Sequence, residues 1–439
     1  MSAISEPPGA LQQRLAAYLD SLAEAAGHVD RAVPLKSYCT GLLLPGERKS
    51  IEPIAARLAP DNVRRMHQSL HHVVTASPWS DEDLLDHVRN YVLPVMERRG
   101  PITAWIVDDT GIPKKGSHSV GVARQYCGQT GKQDNCQVAV SLSVANESSS
   151  LPVAWRLYLP ETWANSKERR AEAEIPEKIT FRTKLEISLE QIRQAITEGV
   201  PQGVVLADAA YGNDTEFRAA LAELGLCYVV GIQSTTTVWP PSMQPLPPPP
   251  NKGGRGRPAH RLRRDEQHTP LPVKQLALSL PKKAWKTVTW REGTRAQLRS
   301  RFAAVRVRAA HRDYKEDQPR AEEWLLIEWP NGDTEPSKYW LSNLAQRVRL
   351  RELVAMGKQR WIIERDYLEL KQELGLGHFE GRGWRGFHHH ATLCIAAYGF
   401  LVAERSRFSP SAQAGHLGLS TPALPEGFQV RGSHSPGAA

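Results

Sequence analysis

Through the first hundred residues, apolar positions recur at intervals of three and four. Leu11, Leu15, Tyr18, Leu19 and Leu22 fall on one face of a helix, and a second helix is predicted over about Ile51 to Leu58. Ser80, Asp81, Glu82 and Asp83 form an acidic cap ahead of Leu84, Leu85, Val88 and Val92, which predicts a third. At Ile102 the period changes. The run ITAWIVDD is short, β-branched and closed by two aspartates, as in a buried strand. Strands are predicted at Gln137 to Val144 and Leu151 to Leu159, on either side of the turn-prone Asn146, Glu147 and Ser148, so the three fit an antiparallel meander. A helix at about Phe181 to Ile196, a strand at Val204 to Asp208, a helix at about Asp214 to Glu223 and a strand ending at Ile232 give the order β-β-β-α-β-α-β.

Beyond Ile232 the pattern breaks. Residues 240 to 250 hold seven prolines and are followed by NKGGRGRPAHRLRR, which predicts a linker or exposed arm. Strand-like runs return between 273 and 345 (FAAVRVRAA, EEWLLIEW, KYWLSNL), then a long helix from about Leu350 to Leu374 and another from about Phe387 to Glu404. The Ser, Pro, Gly and Ala-rich tail after Arg407 is expected to be disordered. No internal repeat is evident.

Composition narrows the class. The 439 residues, 41% of them hydrophobic, can bury a sizeable core in two or three domains, which excludes a collagen-like or wholly disordered chain. No run approaches the roughly 20 apolar residues that a bilayer crossing needs, so no membrane partner is expected. The first twenty residues lack the pattern of a secretory signal, and a cytoplasmic location is expected. The five cysteines stand far apart, as reduced thiols do. Fifty-six Lys and Arg against 47 Asp and Glu leave a charge of +9, which favours a polyanionic partner.

The carboxylates suggest chemistry. Asp109 ends the first strand and Asp208 ends the strand after the crossover helix, and a right-handed crossover returns the chain beside the strand it left. Two carboxylates side by side repel and are stabilised by divalent cations, which prefer hard oxygen ligands. Glu364 is the best third member. Arg360 precedes it by four residues and Lys371 follows by seven, so a continuous helix would place all three on one face. That set suits phosphodiester displacement, with Arg360 and Lys371 holding phosphates. Asp108 competes with Asp109, and an ordinary surface ion pair competes with the Arg360, Glu364 pairing.

These residues resemble the DDE transposases of bacterial insertion sequences, and most resemble the cut-and-paste group whose signature is Tyr, two residues, Arg, three residues, Glu, six residues, Lys. Arg360, Glu364 and Lys371 match the spacing, whereas the tyrosine position is Gly357. The phrases WIVDDTGIPKKGSHSVGVARQYCGQTGKQDNCQVAVSL, VVLADAAYG and GRGWRGFHHHATLCIAAYGFL resemble the insertion sequence 701 branch, over roughly residues 35 to 405. The resemblance implies a ribonuclease-H-like α/β core, a mixed five-stranded sheet with helices, interrupted by a β-rich insertion. It implies Asp109, Asp208 and Glu364 as catalytic residues and ligands of two Mg²⁺ ions, with Mn²⁺ able to substitute.

The implied organisation is a helical DNA-binding domain at 1–100, the first part of the catalytic domain at 101–232, a Pro/Arg-rich arm and β-rich insertion at 233–345, C-terminal catalytic helices at 346–405 and a disordered tail at 406–439. The implied activity is cleavage at terminal inverted repeats and joining of 3′ hydroxyl ends to target DNA. Double-stranded DNA is the expected partner, with a homodimer in the synaptic complex and a nucleoid-associated location. A catalytically inactive domesticated repressor and a structure-specific nuclease of the same fold are the alternatives. The resemblance also implies a tryptophan that stacks on a flipped base, for which Trp340 is the first choice and Trp324 the second.

Further basic residues fit DNA. Gly254 to Pro258, with Arg255 and Arg257, resembles an AT-hook core, and Arg261, Arg263 and Arg264 extend it along the phosphates. Lys114 and Lys115 follow the first strand and are candidate DNA contacts. His388, His389 and His390 point about 100° apart on a helix and cannot share one metal ion, so phosphate contact or capping is expected of them.

Overall fold

The computed structural model describes residues 9–248, 261–292 and 297–407. Two compact units divide the chain. One comprises the residues up to Ile102, Asp109–Glu198 and the chain from Ile362 onward; the other comprises Thr103–Asp108 and Gly199–Trp361.

In the first unit the predicted helices form at Ala10–Ala25, Ile51–Leu58 and Asp81–Glu97. Leu15, Tyr18, Leu19 and Leu22 are buried as their spacing required, and the Ser80 hydroxyl caps its helix by accepting the Asp83 N–H at 3.0 Å. Two more helices, Val29–Leu43 and Val63–Thr75, were not anticipated. The first carries Pro34 and buries Ser37 and Thr40 beside its apolar residues; the second buries only Leu70, Val73 and Val74. Both patterns obscure the helical period.

The helix Trp384–Arg407 is buried along nearly all of its 24 residues. A helix apolar around its whole circumference needs cover on every side, and Val29–Leu43, Val63–Thr75 and Asp81–Glu97 supply it. The segment expected as a separate domain at 1–100 is therefore part of a larger unit. The same helix runs through Arg407, and the tail beyond it lies outside the described residues.

Strand β1 (Ala104–Pro113) is followed by β2 (Ala123–Cys127), β3 (Lys132–Ala145) and β4 (Ser150–Leu157). β3 pairs antiparallel with both β2 and β4 and neighbours β1. The β2 hairpin partner was missed because ARQYC alternates without an apolar face.

In the second unit, the first residues of β1 pair in parallel with β5 (Val204–Ala207), and β5 pairs in parallel with β6 (Tyr228–Ile232). The strands of the insertion are β7 (Thr237–Trp239), β8 (Leu271–Pro272), β9 (Lys286–Glu292), β10 (Gln297–Ala309), β11 (Glu323–Trp329) and β12 (Lys338–Ser342). They extend the same sheet: β12 joins β6 antiparallel, β11 joins β12, and β10 joins β11. One face is covered by helix Val273–Ser279 over Val307, Leu325, Ile327 and Leu341. Helix Leu350–Gln359 packs against β5, β6, β9 and β10. Its Gly357 allows that approach, because a Cβ there would meet Leu326 at 3.2 Å and Trp340 at 3.8 Å. The single long helix expected over Leu350 to Leu374 is instead two, Leu350–Gln359 and Trp361–Gln372, and Arg360 between them keeps a helical backbone at φ −55, ψ −25. Among the described residues, no helix is long and apolar enough to cross a membrane.

Candidate active site

β1 runs on to Pro113, so Asp108 and Asp109 lie within it and not at its end as the sequence suggests, and the parallel pairing of Ile106 with Leu206 sets Asp108 level with Asp208, just past β5. Asp208 follows β5 and caps the turn Ala209–Gly212, its Oδ1 accepting the Ala210 N–H at 2.9 Å. Gly212 must be glycine, since a Cβ would collide with the Gly231 carbonyl. These two constraints account for the Asp and the Gly of the DAAYG phrase. Arg360 joins the two: its Nη2 donates to Asp108 Oδ1 at 2.9 Å and lies 3.8 Å from Asp208 Oδ2. The Asp208 side chain is 42% exposed and that of Asp108 only 13%. Asp108 thus takes the guanidinium, leaving one oxygen of Asp208 loosely held.

In the first unit, Asp109 Oδ2 accepts the Lys184 ammonium at 3.0 Å. Lys184 opens the helix Lys184–Thr197, fixed by a capping box in which the Thr183 hydroxyl accepts the Glu186 N–H and the Glu186 carboxylate accepts the Thr183 N–H. Glu364 is exposed on Trp361–Gln372, and Lys371 of that helix donates to the Gly111 carbonyl at 2.9 Å. Two residues past Glu364, Asp366 is buried, accepting the Ser150 hydroxyl at 2.5 Å and the Tyr398 hydroxyl at 2.7 Å. Burial pushes its pKa up to about 6, although both hydroxyls favour the charged form. Sequence reasoning missed Lys184 and Asp366. KLE at a helix start reads as surface, and nothing in the local pattern shows that Asp366 faces Ser150.

Carboxylate oxygens are the donors that Mg²⁺ or Mn²⁺ prefers, and Asp109, Asp208 and Glu364 each carry them. Among the described residues, no group of three or more His, Cys, Asp or Glu is gathered as a metal site.

Other expected contacts divide. Lys115 is exposed, but Lys114 donates to the Phe379 carbonyl at 2.6 Å, and burial lowers its pKa to about 8. Arg261 and Arg263 are exposed, Arg263 donating to the Pro247 carbonyl at 3.1 Å. Arg264 pairs with buried Asp313 and lies 5.7 Å over Trp239, which makes it part of the packing. Arg255 and Arg257 lie outside the described residues, as does the AT-hook resemblance. Trp340 is half-buried, with the Lys358 ammonium 5.6 Å from its ring centre and paired to Glu328 at 2.5 Å. Trp324 donates to the Ala345 carbonyl at 3.2 Å under Arg306.

The phosphate or capping role expected of the three histidines is overturned, because all are buried and bonded to the protein interior. His388 meets the Trp384 carbonyl and the Leu157 N–H, His389 the Val74 and Trp79 carbonyls, and His390 the Tyr38 hydroxyl and the Gly375 carbonyl.

Comparison with known proteins adds kinship. The profile of the DDE superfamily endonuclease family matches residues 20–297, which include Asp109 and Asp208 and stop short of Glu364. The chain is 36% identical over 189 residues to "Probable transposase for insertion sequence element IS701" of Microchaete diplosiphon, a stretch covering 43% of this chain. The chain thus spans about half the length of that relative, 45% of it. The crystal structure of the NurA nuclease from Sulfolobus solfataricus aligns with 67% of this chain and 85% of that one, at 9% identity and a TM-score of 0.24, too low to bear on the fold.

Proposed function

Since the chain belongs to the DDE superfamily endonuclease family, we propose that it is a transposase of the insertion sequence 701 type, a divalent-metal-dependent DNA endonuclease and strand transferase. The observation that carries this reading is the parallel pair β1 and β5, with Asp108 within β1, Asp208 just past β5 and one arginine between them. The parallel strands β1, β5 and β6 support a ribonuclease-H-like core that the strands β7 to β12 extend.

In this reading Asp109, Asp208 and Glu364 hold two Mg²⁺ ions. When bound, the ions activate water or a 3′ hydroxyl and stabilise the leaving oxygen. The chain's own cations do the rest. Arg360 and Lys371 are already ordered by hydrogen bonds to Asp108 and Gly111, so they offer phosphates a fixed direction of approach at small entropic cost. Asp108 holds the Arg360 guanidinium and leaves Asp208 Oδ2 accessible. The N-terminal helices are the elements suited to reading terminal repeats, because a helix fits the major groove. Two DNA ends must be cut together, which favours a homodimer in the synaptic complex and action at the nucleoid.

The test is cleavage of a duplex carrying one terminal repeat, in Mg²⁺ or EDTA, by wild type and Glu364→Gln. Metal-dependent cutting at the repeat boundary that the substitution abolishes supports the reading. If Glu364→Gln cuts normally, Glu364 is the wrong third carboxylate. If wild type binds paired ends but cuts with neither Mg²⁺ nor Mn²⁺, the endonuclease assignment fails.

A further inference from the structure

Within the first unit, β2 alternates between two faces. Arg124 and Tyr126 are exposed, Ala123, Gln125 and Cys127 are more buried, and Tyr126 keeps 61% of its surface. β2 pairs with β3, where Asn135 stands opposite Arg124 and Gln133 opposite Tyr126, so these four side chains share one face. Beside that face lies an open groove of about 720 Å³, lined by Arg124 and Asn135 together with Ser117, Thr162, Asn165 and Arg169. Its lining carries no carboxylate. Between Asp109 and Asp134 the sequence holds no acid, yet it holds Lys114, Lys115, Arg124 and Lys132. The acids of the helix Lys167–Glu172 are both engaged: Glu168 accepts the Ser166 hydroxyl at 2.9 Å, and Glu172 lies 3.3 Å from His118 Nδ1.

The two arginines keep their donors open. Trp163 is buried, its Nε1 donating to the Val122 carbonyl at 2.8 Å, and the Arg169 guanidinium lies 5.1 Å over its ring. A tryptophan face orients a guanidinium without neutralising its charge or using its N–H groups. Neither Arg124 nor Arg169 makes an ion pair among the described residues. Asn135 ties the groove to the strand that carries Asp109. Its Nδ2 donates to the carbonyls of Lys114 at 2.7 Å and Gly116 at 2.9 Å, and the Lys114 N–H donates to the Asn135 carbonyl at 2.9 Å. The segment leaving β1 is thereby fixed, with Ser117 in the groove's lining.

Uncompensated guanidinium groups suit phosphates, and an exposed ring beside them suits a base, which offers its flat face only when unpaired and unstacked. We propose that this groove binds a single DNA strand, with Arg124 and Arg169 on its phosphates and Tyr126 stacked on one unpaired base. The proposal rests on the transposase reading for its choice of DNA and goes beyond it in giving an unpaired strand a site of its own. The competing explanation is that β2, at the end of the sheet, carries Arg124 to prevent strand addition at its edge.

Fluorescence anisotropy of the full chain on a mixed-sequence single strand and on its duplex, between about 50 and 200 mM salt, separates the two. Arg124→Gln/Arg169→Gln is expected to make the log K against log salt slope for the single strand shallower by about 1.4. Tyr126→Leu is expected to weaken single-strand binding about tenfold at an unchanged slope, to spare duplex binding, and to be rescued by Tyr126→Phe. All melting temperatures should match wild type. A check without variants is near-ultraviolet crosslinking of wild type to a single strand carrying 5-iodouracil, expected at Tyr126. Single-strand binding equal to wild type in the glutamine and leucine variants overturns the proposal, as do losses equally large on the duplex or crosslinks that all fall outside residues 117–169. Aggregation of the glutamine variant with unchanged binding also overturns it, in favour of edge protection. Failure of the parent reading looks different: the variants change single-strand binding as expected, and no protein, wild type included, cuts a terminal-repeat duplex in Mg²⁺.

Discussion

The histidines of helix Trp384–Arg407 and the aspartates Asp109, within β1, and Asp208, just past β5, are all polar side chains singled out by the sequence, and the protein treats the two sets in opposite ways. Each histidine is buried and faces mainly backbone groups that cannot leave. Asp109 and Asp208 keep 22% and 42% of their side-chain surface, and their ionic partners are the long cations Lys184 and Arg360. A backbone partner commits a polar group to the fold. A flexible cation can give way to a metal ion or be drawn to a phosphate, so the second arrangement leaves the group available for chemistry.

Substitution in each region should therefore separate activity from stability. The largest effect is expected from Asp208→Asn: loss of one carboxylate ligand lowers single-turnover cleavage by about a thousandfold, equivalent to about 4 kcal/mol, with the melting temperature nearly unmoved. A drop in stability that accounts for the lost activity would erase the contrast. His389→Ala should do the reverse. It empties a site stacked 3.6 Å from Trp79 and orphans whichever of the Val74 and Trp79 carbonyls accepts the single N–H of the neutral ring, costing about 3 kcal/mol in urea unfolding while the folded fraction cuts at the wild-type rate.

Acid sharpens the comparison. Burial lowers the His390 pKa to about 4, and its neutral form is the one that accepts from Tyr38 and donates to Gly375. A base whose pKa is depressed on folding contributes full stability above its unfolded pKa of about 6.5 and loses it as pH falls toward 4. Between pH 6.5 and 5 the unfolding free energy should fall by about 2 kcal/mol for this residue. Asp366 works the other way: its pKa, raised to about 6, favours the fold below the unfolded value and loses that contribution as pH rises through 6. Asp366→Asn should therefore steepen the acid loss, as measured by urea titration at each pH.

The smallest change is expected from Lys184→Met. Its partly exposed pair with Asp109 is worth less than about 1 kcal/mol to stability. Removing the ammonium should nevertheless tighten Mg²⁺ binding in isothermal titration, because a competitor for Asp109 is gone. Equal or weaker metal binding would show that Lys184 does not contend for that carboxylate.

Much of the fold was legible locally. The Ser80 cap, the Leu15 to Leu22 face and the strand at Val204 carry their structure in short-range period and capping chemistry. The helix Val29–Leu43 was hidden because its buried face is partly polar, and β2 because it has no apolar face at all. The candidate carboxylates Asp109, Asp208 and Glu364 were named from strand ends and helix spacing, and of these local signals only the strand end before Asp208 is kept: β1 runs past Asp109 to Pro113, and the helix expected to carry Glu364 divides at Arg360.

What the sequence by itself determined is the alphabet of elements, the carboxylate that follows β5, and the excess of positive charge. What only the tertiary structure decided is the partner of each polar group. Arg264 went to buried Asp313, the histidines to backbone carbonyls, and Arg291 and Arg301 to tryptophan faces. The reason is range. Period and capping act over a few residues, whereas neutralisation depends on which charges and carbonyls arrive within about 4 Å from distant parts of the chain, a distance at which one ion pair changes from negligible to decisive as water is excluded.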